Sequence, residues 1–157
     1  PTLASTWAAQ AKVGDALAMG GPRGSFLVAD DFDHYVLVGD ETALPAIGRW
    51  LSEMPAGRKA TVLIEIPEDA DRQDLPTQAE ATVHWLPRNG VPAQRSERLE
   101  QALDDVSPAG DTFWWIACES RRARVMRKFL EGHRNVPKTW IKSTGYWKHA
   151  DSEDDEE

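Results

Sequence analysis

The chain has 157 residues, 41% of them hydrophobic, and a formal net charge of −8 at pH 7. This length and apolar content suffice for one domain with an ordinary core. The acidic balance argues against general binding to nucleic acid or to a membrane surface. No apolar run approaches the ~20 residues that a membrane span needs. Much of the negative charge lies in Asp151 and Glu153 to Glu157, which predicts a solvated tail.

Cysteine content and the first residues bear on location. Cys118 is the only cysteine, which excludes an internal disulfide and fits a reducing, cytoplasmic environment. The chain begins at Pro1 with no charged segment followed by an apolar one, so no signal peptide is expected.

The first 33 residues differ from the rest. Leu3 to Ala11 predicts a short helix, and Ala16 to Met19 predicts a short strand. The following Gly20 to Gly24 is too rich in glycine for a regular element. Its glycines beside Arg23 would let the backbone approach a phosphate, although an ordinary surface loop explains them equally well.

From His34 onward, short apolar runs alternate with amphipathic segments. This alternation predicts an α/β fold with a parallel sheet of about five strands and right-handed crossovers. The predicted strands are residues 34–38, 60–66, 81–86, 112–117 and 139–143, and the predicted helices are 43–54, 95–104 and 120–133.

The first strand-to-helix turn is the first candidate site. The apolar run from His34 closes at Gly39, Thr42 is the expected N-cap, and Pro45 falls in the first helical turn. Nucleotide phosphates bind at such turns because free N–H groups and the helix dipole point there. A turn without a ligand explains the pattern equally well. The G-x-G-x-x-G fingerprint is absent, and Asp40 and Glu41 are unusual neighbours for a phosphate.

The end of the fourth predicted strand is the second candidate site. Ala117 to Ser120 would lie where the strand order reverses, and ligands bind at that point of such sheets. At a helix N-terminus Cys118 would have a lowered pKa, although a structural cysteine is the more common case. Arg121 and Arg122 follow in the first helical turn, where cations oppose the dipole. They favour a nucleotide contact or form part of a solvated basic face; nucleic acid is disfavoured because no aromatic platform accompanies them.

Three motifs carry a family resemblance. GDETALPA at Gly39 to Ala46, GPRGSF at Gly21 to Phe26 and GYWK at Gly145 to Lys148 together resemble the siderophore-interacting protein family. These are flavin-dependent ferric-siderophore reductases related to the ferredoxin-reductase superfamily. The resemblance implies a Rossmann-like sheet in the order 3-2-1-4-5. It also implies that residues 1–33 are the end of a flavin-binding β-barrel and its connector, that residues 34–148 form the NAD(P)H-binding domain, and that 149–157 are a disordered acidic tail.

The resemblance also implies site residues. Tyr146 or Trp147 would cover the flavin ring by offset stacking, or else close the end of the sheet. Lys148 would attract anionic ferric chelates. Cys118 departs from the A-G-E sequence that is usual at its turn. The expected cofactor-binding residues are Gly39, Asp40, Glu41, Thr42, Ala43, Arg88, Cys118, Glu119, Ser120, Arg121, Tyr146 and Trp147, with Lys148 for substrate and no catalytic residue or metal ligand assigned.

The choice of nicotinamide cofactor stays open from the residues alone. Glu65 lies near the end of the second strand, where an acidic residue reads the ribose hydroxyls of NADH in standard Rossmann folds. Arg72 and Arg88 are candidates for the 2′-phosphate of NADPH, or are ordinary loop residues. The resemblance favours NADPH.

The expected function is the NAD(P)H-binding domain of a ferric-siderophore reductase that releases ferrous iron. FAD would be held mainly by an N-terminal domain absent from this chain, so the chain alone is expected to be inactive. One alternative is a flavin reductase or an electron-transfer reductase with another acceptor. Another is a domain that binds a nucleotide or a partner protein without turnover.

Overall fold

The computed structural model describes residues 3–20 and 28–149. The chain divides into two compact units, Pro1–Asp30 and Asp31–Glu157. The expected phosphate loop around Arg23 and Gly24 lies outside the described residues, as does the acidic segment from Asp151 onward. The expectations for both segments stay predictions.

The described residues of the first unit contain one helix, α1 (Leu3–Gln10), none of whose residues is buried. The strand predicted over Ala16 to Met19 is wrong, because these residues have no regular structure. A strand requires a partner for its backbone N–H and C=O groups, and none is present among the described residues of this unit. The origin of residues 1–33 in a flavin barrel stays a prediction.

The second unit is built on a sheet of five parallel strands, counted over the described residues, in the order β3-β2-β1-β4-β5. The predicted parallel sheet and its strand order are confirmed. The strands are β1 (His34–Asp40), β2 (Lys59–Ile66), β3 (Glu80–Pro87), β4 (Thr112–Glu119) and β5 (Ile141–Trp147).

Within the described part of this unit, three α-helices cover the sheet: α2 (Leu44–Glu53), α3 (Arg98–Asp105) and α4 (Ser120–Gly132). Helix α2 packs on β1, α3 packs on β1 and β2, and α4 packs on β4 and β5. Right-handed crossovers in this strand order place α2 on one face and the other two helices on the opposite face. No helix in residues 3–20 or 28–149 has the length and apolar character to cross a membrane.

The core explains why β1 and β4 have such continuous apolar sequences. All eight residues of β4 are buried, as are six of the seven in β1. Val38 of β1 and Ile116 of β4 belong to one cluster with Leu103 of α3 and Met126 of α4. Central strands of a parallel sheet are covered on both faces, so successive residues are apolar rather than alternating.

Element boundaries differ from the prediction at two functional positions. Strand β1 continues through Asp40, and the N-cap of α2 is Ala43 rather than Thr42. Thr42 does not cap because its hydroxyl donates to Asp40 Oδ1 instead, over 2.5 Å. Pro45 lies in the first turn of α2, as predicted. The last strand begins at Ile141 rather than at residue 139, because Lys138–Trp140 forms a 3-10 turn.

Candidate functional site

The two predicted turns meet at the carboxyl end of the sheet. Gly39 of β1 pairs with Ala117 of β4, so the turn from Gly39 to Ala43 lies beside the turn from Cys118 to Ser120. Strand order reverses between β1 and β4. A crevice at such a reversal is where open parallel sheets bind nucleotides.

Gly39 is required there by close packing. A Cβ at this position would lie 2.5 Å from Ala43 Cβ and 2.9 Å from the Ala117 carbonyl oxygen. Both distances are far below van der Waals contact, so a side chain would push the turn away from β4. The first strand-to-helix turn can follow β1 this tightly only with glycine.

Asp40 ties this turn to the end of β5. Its carboxylate is fully buried. Oδ1 accepts hydrogen bonds from the N–H of Thr42 at 3.0 Å and from its hydroxyl at 2.5 Å. Oδ2 accepts from the indole N–H of Trp147 at 2.7 Å. Both oxygens are therefore committed inside the protein, and Asp40 shapes the site through its neighbours.

The end of β5 places two aromatic rings differently. Trp147 is held by Asp40 and by its own carbonyl, which accepts from the Ser120 hydroxyl at 2.9 Å. Gly145 lies against Ser120 so closely that a Cβ there would overlap the serine hydroxyl. Tyr146 is 44% exposed and rests edge-on against Trp115, with 6.2 Å between ring centroids. Tyr146 is thus the more accessible of the two candidate flavin-covering rings, and the exposed Lys148 follows one residue beyond the strand.

A chain of ion pairs runs beneath the two turns. The Arg88 guanidinium donates to both carboxylate oxygens of Glu41, at 2.6 and 2.7 Å, and lies 3.4 Å from Glu65. Arg122 donates to both oxygens of Glu65, at 2.8 and 2.9 Å, and to both oxygens of Glu100, at 2.8 and 2.7 Å. This ion-pair chain connects the first turn, the ends of β2 and β3, and both helices α3 and α4.

The protonation states of the residues in this ion-pair chain follow from their pairing. Burial works against the charged form of Glu41, but the hydrogen bonds and charge of Arg88 outweigh it and lower the pKa of Glu41. The Glu41 hydrogen bonds raise the pKa of Arg88 against the effect of burial. For Arg122, burial lowers the pKa, and the bonds to Glu100 and Glu65 more than reverse it. All three groups are therefore charged at neutral pH.

Glu65 does not have the position expected of a ribose-reading residue. It is fully buried and accepts hydrogen bonds from Arg122, Arg88 and the Ser96 hydroxyl. A buried carboxylate requires such pairing, and here the pairing closes it off from a ligand. Two arginines were considered for the 2′-phosphate. Arg88 is buried within the same ion-pair chain as Glu65, and Arg72 is paired with Asp69 at 2.6 Å. Their roles toward a phosphate stay predictions.

Cys118 lies within the sheet rather than at the helix N-terminus, which overturns the expected lowering of its pKa. It is fully buried, and its side chain joins the core cluster under α3 and α4. Burial raises the pKa of the thiol. The core accommodates the thiol that departs from A-G-E.

Glu119 has a feature that sequence reasoning missed. Its Oε2 caps α4 by accepting from the N–H groups of Arg121 at 2.7 Å and Arg122 at 3.0 Å. The residue is 3% exposed, and its Oε1 has no hydrogen-bond partner among the described residues. An acid before a helix predicts the cap; nothing in the sequence predicts the unpartnered oxygen.

A cavity of about 880 Å³ opens beside Glu119, between α3 and α4. We call it the α3–α4 groove; Arg95, Ser96, Glu100, Glu119, Arg121 and Phe129 are among the residues that line it. No group of His, Cys, Asp and Glu within residues 3–20 and 28–149 is arranged to hold a metal ion.

Comparison with known proteins identifies the family to which this chain belongs. The sequence profile of siderophore-interacting proteins matches residues 32–150. This chain belongs to the siderophore-interacting protein family. It is 28% identical to the ferric vibriobactin reductase of Vibrio cholerae, over 94% of this chain and 55% of that protein. It is 29% identical to the NADPH-dependent ferric-chelate reductase of Escherichia coli, over 94% of this chain and 57% of that protein.

Solved structures agree with the fold. A siderophore utilization protein from T. fusca superposes with a TM-score of 0.82 at 35% identity, covering 92% of this chain and 55% of that one. The siderophore-interacting protein from Aeromonas hydrophila gives a TM-score of 0.81 at 30% identity, covering 96% of this chain and 58% of that one. The chain thus spans a little over half the length of these relatives.

Proposed function

We propose that this chain is the NAD(P)H-binding part of a flavin-dependent ferric-siderophore reductase. The observation that carries the proposal is the crevice between the turns at Gly39 and Cys118, with the exposed ring of Tyr146 on the strand beside it. The names of the two relatives, one a ferric-siderophore reductase and one an NADPH-dependent ferric-chelate reductase, support the same reading. NADPH is the preferred cofactor in this proposal.

The chain's own residues have distinct roles in it. The backbone of the turn from Gly39 to Ala43 approaches the dinucleotide, and Asp40 and Glu41 hold that turn through Trp147 and Arg88. Tyr146 covers the flavin ring, and Lys148 attracts an anionic ferric chelate. When bound, the nicotinamide would supply a hydride to the flavin, and the flavin would supply single electrons to ferric iron. No residue of this chain is assigned as a general acid or base.

The proposal includes a division of labour with an N-terminal FAD domain. Tyr146 and Trp147 offer too little surface to hold a large cofactor against the translational freedom it loses on binding. The purified chain should therefore be colourless, should bind NADPH weakly, and should not reduce a ferric chelate.

The experiment is a calorimetric titration of this chain with NADPH and NADH, followed by the same chain joined to a flavin domain of the family. Measurable NADPH binding and a yellow fusion that reduces a ferric chelate would support the proposal. Stoichiometric flavin on this chain alone would overturn the division of labour. Absence of NADPH binding to both proteins would overturn the function itself.

A further inference from the structure

A string of four oxidisable aromatic side chains lies on the α2 side of the sheet. The ring centroids of Tyr146 and Trp115 are 6.2 Å apart, and those of Trp115 and Trp50 are 5.7 Å apart. Trp50 continues to Tyr35 at 6.5 Å. All three contacts are edge-on, and rings in this arrangement at these separations touch one another. Because tryptophan and tyrosine can each give up one electron, the string is a continuous path for electron transfer.

The string reaches the surface at two places. Trp50 is partly exposed on α2, and Tyr146 is exposed on β5 beside the crevice. Trp115 of β4 lies between them and is buried. Its ring therefore connects an oxidisable residue on the helix surface with an oxidisable residue at the carboxyl end of the sheet.

Tyr146 is the residue at which a missing electron would settle. In neutral water a tyrosine that loses an electron also loses its phenolic proton, and the resulting neutral radical forms more readily than the radical of tryptophan. The exposed ring of Tyr146 can release this proton to water, whereas Tyr35 is buried. An electron missing from either tryptophan is therefore replaced from Tyr146.

The surroundings of the string do not divert the electron. Phe113 contacts Trp50, with 6.3 Å between ring centroids, and Phe32 contacts Phe113 at 5.3 Å. Phenylalanine is too difficult to oxidise to take part. The sulfur atoms of Cys118 and Met126 belong to the core cluster under α3 and α4, on the other side of the sheet.

We infer that Trp50, Trp115 and Tyr146 form a radical relay that moves oxidation from the protein interior to the crevice. A one-electron oxidant, of the kind that ferrous iron forms with peroxide, takes an electron from Trp50. Trp115 replaces that electron, Tyr146 replaces the electron of Trp115, and the phenolic proton of Tyr146 leaves to water. A one-electron donor in solution, such as ascorbate, then reduces the tyrosyl radical, which takes back a proton. The transfer between the rings is independent of the proposed function, which supplies only the ferrous iron.

The first test is pulse radiolysis of the whole chain with azide radicals, which oxidise tryptophan selectively, in oxygen-free neutral solution. The absorption of tryptophanyl radicals should decay as that of tyrosyl radicals rises, at a rate that does not depend on protein concentration. Tyr146→Phe should remove most of the tyrosyl signal, and Trp115→Phe should slow its appearance. Trp85→Phe on β3 is the matched control, because it removes a tryptophan outside the relay and should change neither.

The second test measures where the radical ends. Without a donor, tyrosyl radicals on exposed residues of two chains couple, so the oxidised protein should form covalent dimers with dityrosine fluorescence. Tyr146→Phe should form none, Trp115→Phe should form fewer, and ascorbate should suppress the dimers of the unsubstituted chain. Each substitution keeps an aromatic ring at its position, and equal thermal midpoints would exclude repacking as the cause. Tyr146→Phe removes only a hydroxyl from an exposed ring, so it tests the relay even if Trp115→Phe does not fold.

Three results would overturn the inference. The first is tyrosyl formation that is unchanged in Tyr146→Phe or in Trp115→Phe. The second is an equal loss in Trp85→Phe. The third is a loss in Trp147→Phe with Trp115→Phe unaffected, which would assign the transfer to the indole next to Tyr146 in the sequence. None of them affects NADPH binding or the proposed function, and absence of NADPH binding would leave the relay standing.

Discussion

The indole N–H of Trp147 donates to Asp40 Oδ2 over 2.7 Å, which joins the last residue of β5 to the last residue of β1. The two strands are not neighbours, because β4 lies between them. This single bond therefore crosses the carboxyl end of the sheet and fixes the first turn relative to the aromatic end of the chain's last strand.

Trp147→Phe should destabilise the protein by about 1–3 kcal/mol, because it leaves a buried carboxylate oxygen of Asp40 without a donor. Urea denaturation followed by circular dichroism measures the change. Tyr146→Phe is the matched control, since Tyr146 is 44% exposed and should lose little. Equal effects of the two substitutions would mean that the bond to Asp40 contributes nothing.

Glu65→Gln should be far more costly, about 3 kcal/mol or more, because it leaves two buried arginines short of a negative charge. Arg49→Gln offers the comparison: its partner Glu53 and Arg49 itself are 62% and 78% exposed, and such surface pairs contribute under about 1 kcal/mol. Denaturant midpoints of the two variants measure the difference. A mild effect at Glu65 would contradict the structural role given to the ion-pair chain.

The Glu41–Arg88 pair should make stability depend on pH in the acid range. The pKa of Glu41 is lowered in the folded protein from its usual 4.5, so the unfolded chain binds the proton more readily. The contribution is present above pH 4.5 and is lost as the pH falls below it through the folded pKa. Thermal midpoints of wild type and Glu41→Gln should differ at neutral pH and converge in acid. A constant difference would show that the pair is not responsible.

Gly39→Ala should destabilise by about 1–3 kcal/mol, because its Cβ would overlap Ala43 and the Ala117 carbonyl. The control is Gly48→Ala in α2, where the nearest atom is 3.4 Å from the added Cβ and where alanine should stabilise the helix by about 0.5–1 kcal/mol. Thermal unfolding should shift in opposite directions. Any loss of nucleotide affinity in Gly39→Ala has to be compared with the destabilisation that the same substitution causes.

Cys118 should resist thiol reagents in the native protein, because the thiol is fully buried and burial raises its pKa. Its reaction with a disulfide reagent at neutral pH should be slow and should become rapid in denaturant. Rapid stoichiometric labelling of the folded chain would contradict the placement of Cys118 in the core.

The central strands could be predicted from the sequence because burial on both faces leaves a continuous apolar run. The runs at β1 and β4 show this, and the helices between them show apolar positions at helical spacing. The two turns at Gly39 and Cys118 could likewise be assigned to one end of the sheet, since parallel strands all end on the same side. Their pairing through Gly39 and Ala117 required only the strand order that the family resemblance implied.

Side-chain partners were decided by tertiary structure. Glu65 and Arg122 are 57 residues apart, and local sequence gives no sign that they pair. Folding brings the end of β2 within reach of Arg122 in the first turn of α4. A carboxylate buried there requires a cation, so Glu65, expected to contact a ribose, is part of a structural ion pair. Strand β4 runs to Glu119, and the alternation of its side chains turns the Cys118 thiol into the core. The pairing of β4 with β5 shifts register between Cys118 and Glu119, and Glu119 is buried at the N-terminus of α4. Local rules account for its helix cap, while only tertiary packing determines what surrounds its other oxygen.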